Sequence, residues 1–437
     1  MFGSGINMFS NPALKNLSDV VQGATWNNGE VPVYNSTTLQ FEPGTPGGGG
    51  GSGIVALFDA TGDPTYYTTI QSAINAASAG QTVQVLTSIT ETAATQVNLK
   101  NGVNVNLNGN TYTLNNAGTV SSFSDNNLQV DSIIYNGKIK REGGTYSSVN
   151  SLCIHVNSNL SDIKLQGVVC ESSFGCTAYV EGKLTGGTFI SGAGTISYRV
   201  SSQGKAEDAK IYAVSGARID NSSSNIYCYA TTGTAITISG TGEFNNLTGI
   251  SAGNYGIFCN TAAKVNNSVG VSLASFGSWQ SAASIFNNVV SYSSASIGLL
   301  NNVSGAETIN CSIESAGNYG LSLTGIAKGC IVKSSASYGT RINDGEFYDG
   351  VSESTLNTSS GYAFFSGGTG LSGKVFNSVG KVANAGAEGI RCNSSGNNIF
   401  FGNNTFEGCT NILNTGTPGV LNLQINAPDA ANNILVG

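Results

Sequence analysis

From Thr82 onward apolar and polar residues alternate. Val83 and Val85, Val97 and Leu99, Val103, Val105 and Leu107, then Tyr112 and Leu114 mark short strands broken by Asn-Gly or Asn-Asn turns. One upstream segment keeps a different period. Ile70, Ala73, Ile74 and Ala77 recur at helical spacing and predict a helix over 67–79, with Thr68 or Thr69 to cap its start and Gly80 to end it. Residues 54–58 before it read as a strand.

Short strands continue to the C-terminus, and the chain repeats itself. Ser251-Ala252-Gly253-Asn254-Tyr255-Gly256-Ile257 returns 64 residues later as Ser315-Ala316-Gly317-Asn318-Tyr319-Gly320-Leu321, with degenerate copies around Gly298, Gly339, Tyr362 and Gly389. A repeating unit of ~22 residues is too short for a propeller blade and fits one coil of a right-handed parallel β-helix, about 15 coils in all. The expected fold is therefore all-β. Val, Ile, Leu, Phe and Cys should point inward, Ser, Thr and Asn outward, and glycine should take the corners that need positive φ. Cys153 and Cys176 read as equivalent stacked positions.

The run Gly47 to Gly51, with Ser52 and Gly53, cannot hold a regular element. It divides the chain into a module over 1–45, a linker over 46–53 and the β-helix over 54–437. Residues 1–45 are too few to bury a core of their own.

Composition narrows the function. Of 437 residues 59 are Gly and only 10% are charged, with a net charge of −7. No basic stripe offers itself to phosphates, which argues against nucleic acid. No apolar run is long enough to span a bilayer, so no membrane insertion is expected, and the N-terminus carries no readable secretory signal. Nine cysteines without a CxxC, and one histidine, argue against a zinc site or a disulfide scaffold. No metal and no cofactor are expected.

Two resemblances sharpen this reading. Thr69 to Ala77, Gly80 to Val85 and Leu99-Lys100-Asn101-Gly102-Val103 resemble the start of pectin-lyase-like β-helix proteins, in which a helix covers the first coil. Leu17-Ser18-Asp19-Val20, Gly29 to Asn35, Thr37-Thr38 and Phe41-Glu42-Pro43-Gly44 are similar to short segments of bacteriophage fibres and other virion proteins. There, Phe41 stands where Trp is usual and Pro32 where Leu or Ile is. Together they imply a structural virion protein, a tail fibre, tailspike or capsid-surface fibre. It would be made in the host cytoplasm, carried on the particle surface, joined to other virion proteins through 1–45 and assembled as a homotrimer that displays a host- or glycan-binding rod. Leu17, Asp19, Val20, Val33, Tyr34, Phe41 and Pro43 would make the attachment. Tailspikes usually add a C-terminal trimerisation domain, and little room for one follows Leu421. The rods would then trimerise along their sides, or the protein would be a smaller accessory.

Candidate chemistry is sparse. Asp344, Glu346, Asp349 and Glu353, with Arg341 upstream, form the densest acidic patch, and Asp344 and Glu346 at i, i+2 would share one face of a strand. They are the residues a polysaccharide depolymerase, hydrolase or lyase, would use. A bacterial surface adhesin is a third possibility. Lys138, Lys140, Arg141 and Glu142 read as a basic loop, and Lys205 to Lys210 as a balanced exposed turn. His155 should face outward from its strand, without catalytic partners. The five arginines show no shared pattern. Tyr255, Tyr319, Tyr338 and Tyr362 all stand beside a repeat corner and would form a ladder against which sugar rings pack, or else fill space. The sequence favours a binding rod over an enzyme.

Overall fold

A computed structural model of the chain describes residues 31–35, 40–44, 53–58, 62–143, 151–173, 175–192, 196–367, 371–384, 386–392, 398–409, 411–415 and 434–436. The alternating pattern winds into a parallel β-solenoid of about 13 turns, slightly fewer than the 15 coils expected. One sheet, face one, stacks 15 strands from Val97–Asn98 to Asn411–Thr415. A central coil runs through Ile236–Ile238 on face one, Glu243–Asn245 on face two and Thr248–Ser251 on face three. Nearer the N-terminus faces two and three merge, and Asp131–Glu142, Asp162–Ser172 and Lys183–Ser191 each run through both.

The helix α1 (Ile70–Ala76) buries Ile70, Ala73 and Ile74 against the first strands, and Thr69 caps it by accepting from the Ser72 N–H at 3.0 Å. It is shorter than the 67–79 expected, for two reasons. Tyr67 belongs to the strand Pro64–Tyr67, paired antiparallel with Val55–Phe58. At the other end the Lys100 ammonium donates to the Asn75 and Ala77 carbonyls and so closes the helix before Gly80.

Three corner devices hold the coils in register. Between faces two and three Asn225, Asn246, Asn267, Asn288, Asn310, Asn377 and Asn403 take left-handed backbone with φ of 50 to 57°. Asparagine tolerates that conformation, and its side chain also bonds to the next coil. The Asn246 amide donates to Asn225 at 2.9 Å and Asn288 to Asn267 at 2.8 Å. The expected glycine corner is thus mainly an asparagine corner.

The repeat glycines Gly256, Gly277, Gly298, Gly320 and Gly339 serve a different need. None has positive φ, and a Cβ on Gly298 would lie 2.6 Å from the Gly320 carbonyl oxygen of the next coil. They are small so that successive coils can close on one another.

The repeat serine corrects the expectation that serines face outward. Ser251, Ser272, Ser293, Ser315, Ser334 and Ser354 are fully buried at the third corner. The Ser251 hydroxyl accepts from the Asn254 N–H at 2.7 Å and donates to the Gly233 carbonyl of the coil before at 2.7 Å. Each hydroxyl therefore fixes a turn and ties two coils.

All nine cysteines are buried thiols, and burial pushes most of them above the ordinary thiol range, as in Cys170 and Cys228. Cys153 and Cys176 are not equivalent. Ile154 pairs with Ala178, so Cys176 stands in register with Leu152 and packs with Leu152 and Tyr179, while Cys153 lies in the main core.

The outward surface is also less polar than expected. Face three carries Tyr212, Val290 and Ile331 with 41, 46 and 60% exposure.

Candidate functional site

Among the described residues, face one gathers arginine and aromatic side chains in one half-buried row. Each of its strands is about three residues long, with the outer two pointing inward and the middle one outward, as in Tyr198-Arg199-Val200 and Ile257-Phe258-Cys259. Parallel pairing then lines these middle residues up in single file. In register order they are His155, Tyr179, Arg199, Arg218, Thr237, Phe258, Trp279, Leu300, Ser322, Arg341, Phe365 and Arg391. Four of the five arginines share one row, a pattern the sequence hid because the coils between them vary in length.

A second row runs beside the first, at the residue before the corner glycine, whose place Ala363 takes after Tyr362. Tyr255, Tyr319, Tyr338 and Tyr362 occupy it, with Phe276 and Ile297 between the first two. Tyr319 and Tyr338 stack at 5.2 Å and 10°, Tyr338 and Tyr362 at 5.2 Å and 29°, and Tyr255 stacks instead on Phe276 at 5.4 Å. Ile297 breaks the ladder into two stacks. Stacking uses the ring faces inside each pile, so the faces left open lie at its ends.

One such end borders a cleft of about 340 Å³ lined by small and polar residues, among them Gly216, Arg218, Thr234, Thr237, Asn254 and Asn260. Thr234 and Thr237 stand one coil before Tyr255 and Phe258. On the cleft side the register neighbours of those two aromatics are therefore threonines rather than rings. Behind them Trp279 packs on Phe258 at 4.7 Å and edge-on to Tyr255 at 5.0 Å, which fixes the platform. On the other side of the cleft Asp220 holds Arg218 at 2.9 Å and Arg199 at 3.9 Å. Polar walls with a packed aromatic group on the adjoining coil suit a saccharide ring.

The acidic patch does not assemble. The strand Glu346–Tyr348 is too short to include Asp344, which lies in the preceding turn at φ 69°, and Asp349 takes an asparagine corner at φ 53°. Glu346 faces outward on face two and pairs with Lys374 at 2.5 Å, which holds its carboxyl below the usual range. Arg341 is on face one, over the Tyr319 ring at 5.3 Å. Asp344 and Glu346 thus do not share a strand face.

The basic loop is not a loop. Lys138 and Lys140 pair with Glu171 of the next coil at 2.6 and 3.8 Å, and Arg141 is fully buried. Lys205 and Glu207 lie on the strand Lys205–Glu207 and pair at 2.7 Å, while Asp208 accepts from Asn225. Among the described residues no group of three or more His, Cys, Asp or Glu could hold a metal ion. No helix among the described residues is long and apolar enough to cross a membrane.

In the N-terminal module Leu17, Asp19 and Val20 lie outside the described residues. Val33 and Tyr34 fall on the strand Val31–Asn35, and Phe41 and Pro43 on Gln40–Gly44. The two strands pair antiparallel with Tyr34 opposite Phe41.

His155 faces outward as expected, edge-on to Tyr179 at 5.3 Å, with its Nε2 buried and unbonded among the described residues. Burial pulls its pKa down to about 4, partly opposed by Asp125. The unfolded chain therefore binds a proton that the folded chain refuses between about pH 6.5 and pH 4, and stability falls as pH drops through that window. Relative to His155→Asn, the native protein is expected to lose about 2 kcal/mol between pH 8 and pH 5. Denaturant titrations at both pH values check this, and parallel losses in the two proteins would refute it.

No family model, curated protein or solved structure matches the chain.

Proposed function

We propose that the protein is a non-enzymatic, saccharide-binding rod of a virus particle, a fibre or spike of the bacteriophage type attached through residues 1–45. The observation that carries the binding reading is the face-one cleft, lined by Arg218, Thr234, Thr237, Asn254 and Asn260, with Tyr255 and Phe258 on the adjoining coil in register with Thr234 and Thr237. The virion assignment rests on the resemblance of the N-terminal segments to phage fibre proteins, and the pectin-lyase-like relationship on the residues around the capping helix. The dispersed placement of Asp344, Glu346 and Asp349 supports binding rather than cleavage.

Incubation of the full chain with capsular and lipopolysaccharide preparations is expected to give retention without shortening of the glycan. Phe258→Ala and Tyr255→Ala should each weaken retention roughly tenfold, the scale of one aromatic contact, while Tyr292→Ala on face three leaves it unchanged. Shortened glycan chains would replace this reading with a depolymerase. Deleting residues 1–45 should abolish incorporation into particles; a truncated rod that still enters them would overturn the attachment assignment.

A further inference from the structure

We infer that the saccharide bound by face one is an acidic polysaccharide, gripped at two separated arginine stations by a single chain lying along the rod. This rests on the saccharide-binding reading above and names the ligand's chemical class.

The distribution of positive charge carries it. The protein is acidic overall, with 25 Asp and Glu against 18 Lys and Arg. Lysines on faces two and three meet carboxylates, as in Lys183–Glu207, Lys264–Glu243 and Lys381–Glu407. The arginines of face one are arranged differently. Arg199 and Arg218, on consecutive strands, share the single carboxylate Asp220. Arg341 and Arg391, separated by Phe365, have no ion-pair partner among the described residues. Each instead lies over a tyrosine ring, Arg341 over Tyr319 at 5.3 Å and Arg391 over Tyr362 at 5.0 Å. Each also donates from Nη1 to the hydroxyl of that tyrosine, Arg341 to Tyr319 at 3.4 Å and Arg391 to Tyr362. These contacts hold the guanidinium in place, and its remaining donors meet no carboxylate among the described residues. The Nε atoms of Arg199 and Arg341 are buried and unbonded among the described residues. A site for neutral sugars needs aromatic faces and amides, not unpaired guanidinium groups. Guanidinium groups suit carboxylates and other oxyanions, which they bind through two parallel hydrogen bonds.

Spacing makes this one extended site. Six strand steps separate Arg218 from Arg341, roughly 29 Å at the usual strand separation. The side chains between them are Thr237, Phe258, Trp279, Leu300 and Ser322. None carries a charge. Ser322 is buried, and Phe258, Trp279 and Leu300 offer ring and apolar surface, a track on which sugar rings lie between charged groups at either end. One chain engaging both stations gains from the second as an intramolecular event, so short fragments should bind much more weakly than the polymer.

The test uses the full chain and a panel of bacterial capsular polysaccharides, acidic and neutral, each acidic one paired with its carboxyl-reduced form. Acidic polymers are expected to bind, their carboxyl-reduced forms to bind at least tenfold more weakly, and affinity to fall as salt rises. Arg341→Gln and Arg391→Gln should each cost roughly tenfold in affinity. Arg→Lys at the same positions should recover only part of it, because an ammonium lacks the fork. Circular dichroism of each variant identifies any that fails to fold, and the carboxyl-reduced pair tests the native chain without mutation. Equal binding of acidic polymers and their reduced forms, or binding of neutral polymers alone, would overturn the inference and leave saccharide binding standing. Binding of none would overturn the saccharide reading itself.

Discussion

Replacing Gly298 with alanine is expected to cost about 3 kcal/mol of stability, the upper end for overpacking a tight site. The added methyl would lie 2.6 Å from the Gly320 carbonyl oxygen, 2.7 Å from that of Glu314 and 2.8 Å from the Ile313 side chain. Two of the three are backbone and cannot swing away. Relief requires the coils to part, which loosens the bonds from the Gly298 and Leu299 N–H groups to the Tyr319 and Gly320 carbonyls. Conformation is not the obstacle, since Gly298 lacks positive φ. The same column takes Ala363 further along, where Gly380 leaves 3.1 Å between its own Cβ position and that methyl. Denaturant titration followed by circular dichroism measures the loss. A variant as stable as the native chain would mean the coils are spaced more loosely than described.

Arg141→Met is expected to cost about 4 kcal/mol and to open the N-terminal coils. The Arg141 side chain is fully buried, and its guanidinium donates to the carbonyls of Leu114, Asn116, Gly118, Val120, Glu142 and Gly143. Methionine fills similar space but leaves those oxygens dry and unbonded. In a solenoid each coil contacts only its neighbours, so the damage should stay local. Hydrogen exchange should accelerate over residues 97–142 and remain slow over 248–342. Unchanged protection near Arg141 would show that the carbonyls find other partners.

Much of the fold was legible because its causes are local and periodic. Alternation of apolar residues gave the strands, the helical spacing of Ile70, Ala73, Ile74 and Ala77 gave the helix α1, and the Ser251 and Ser315 copies gave the coil. What escaped depends on contacts between coils. Asparagine at the second corner is favoured by its amide ladder as well as by its backbone, and the repeat glycine by the oxygen of the coil above. Gln280 and Asn301 take inward positions where apolar side chains were expected, and are tolerated because Thr308 joins them in a buried network that also reaches the Ala306 and Glu307 carbonyls.

The site was legible only in part. Tyr255, Tyr319, Tyr338 and Tyr362 were marked by their common place beside the repeat corner. The arginines were not, because 19 residues separate Arg199 from Arg218 but 123 separate Arg218 from Arg341. The one local signal was an arginine between two inward-facing residues, in Tyr198-Arg199-Val200, Ala217-Arg218-Ile219, Thr340-Arg341-Ile342 and Ile390-Arg391-Cys392. Alternation places every such arginine outward, and register then places them in one row. Asp344 and Glu346 misled for the converse reason: an i, i+2 pair shares a face only if the strand is long enough to contain both.

Face-one binding can be read directly through Trp279, which sits in the middle of the row. The chain has two tryptophans, so Trp26→Phe leaves Trp279 as the only one. Titration of that variant with a retained polysaccharide is expected to shift or quench Trp279 emission, saturating at the concentration that saturates binding measured by calorimetry. Saturable binding that leaves Trp279 emission unchanged would place the glycan elsewhere and contradict the assignment of face one.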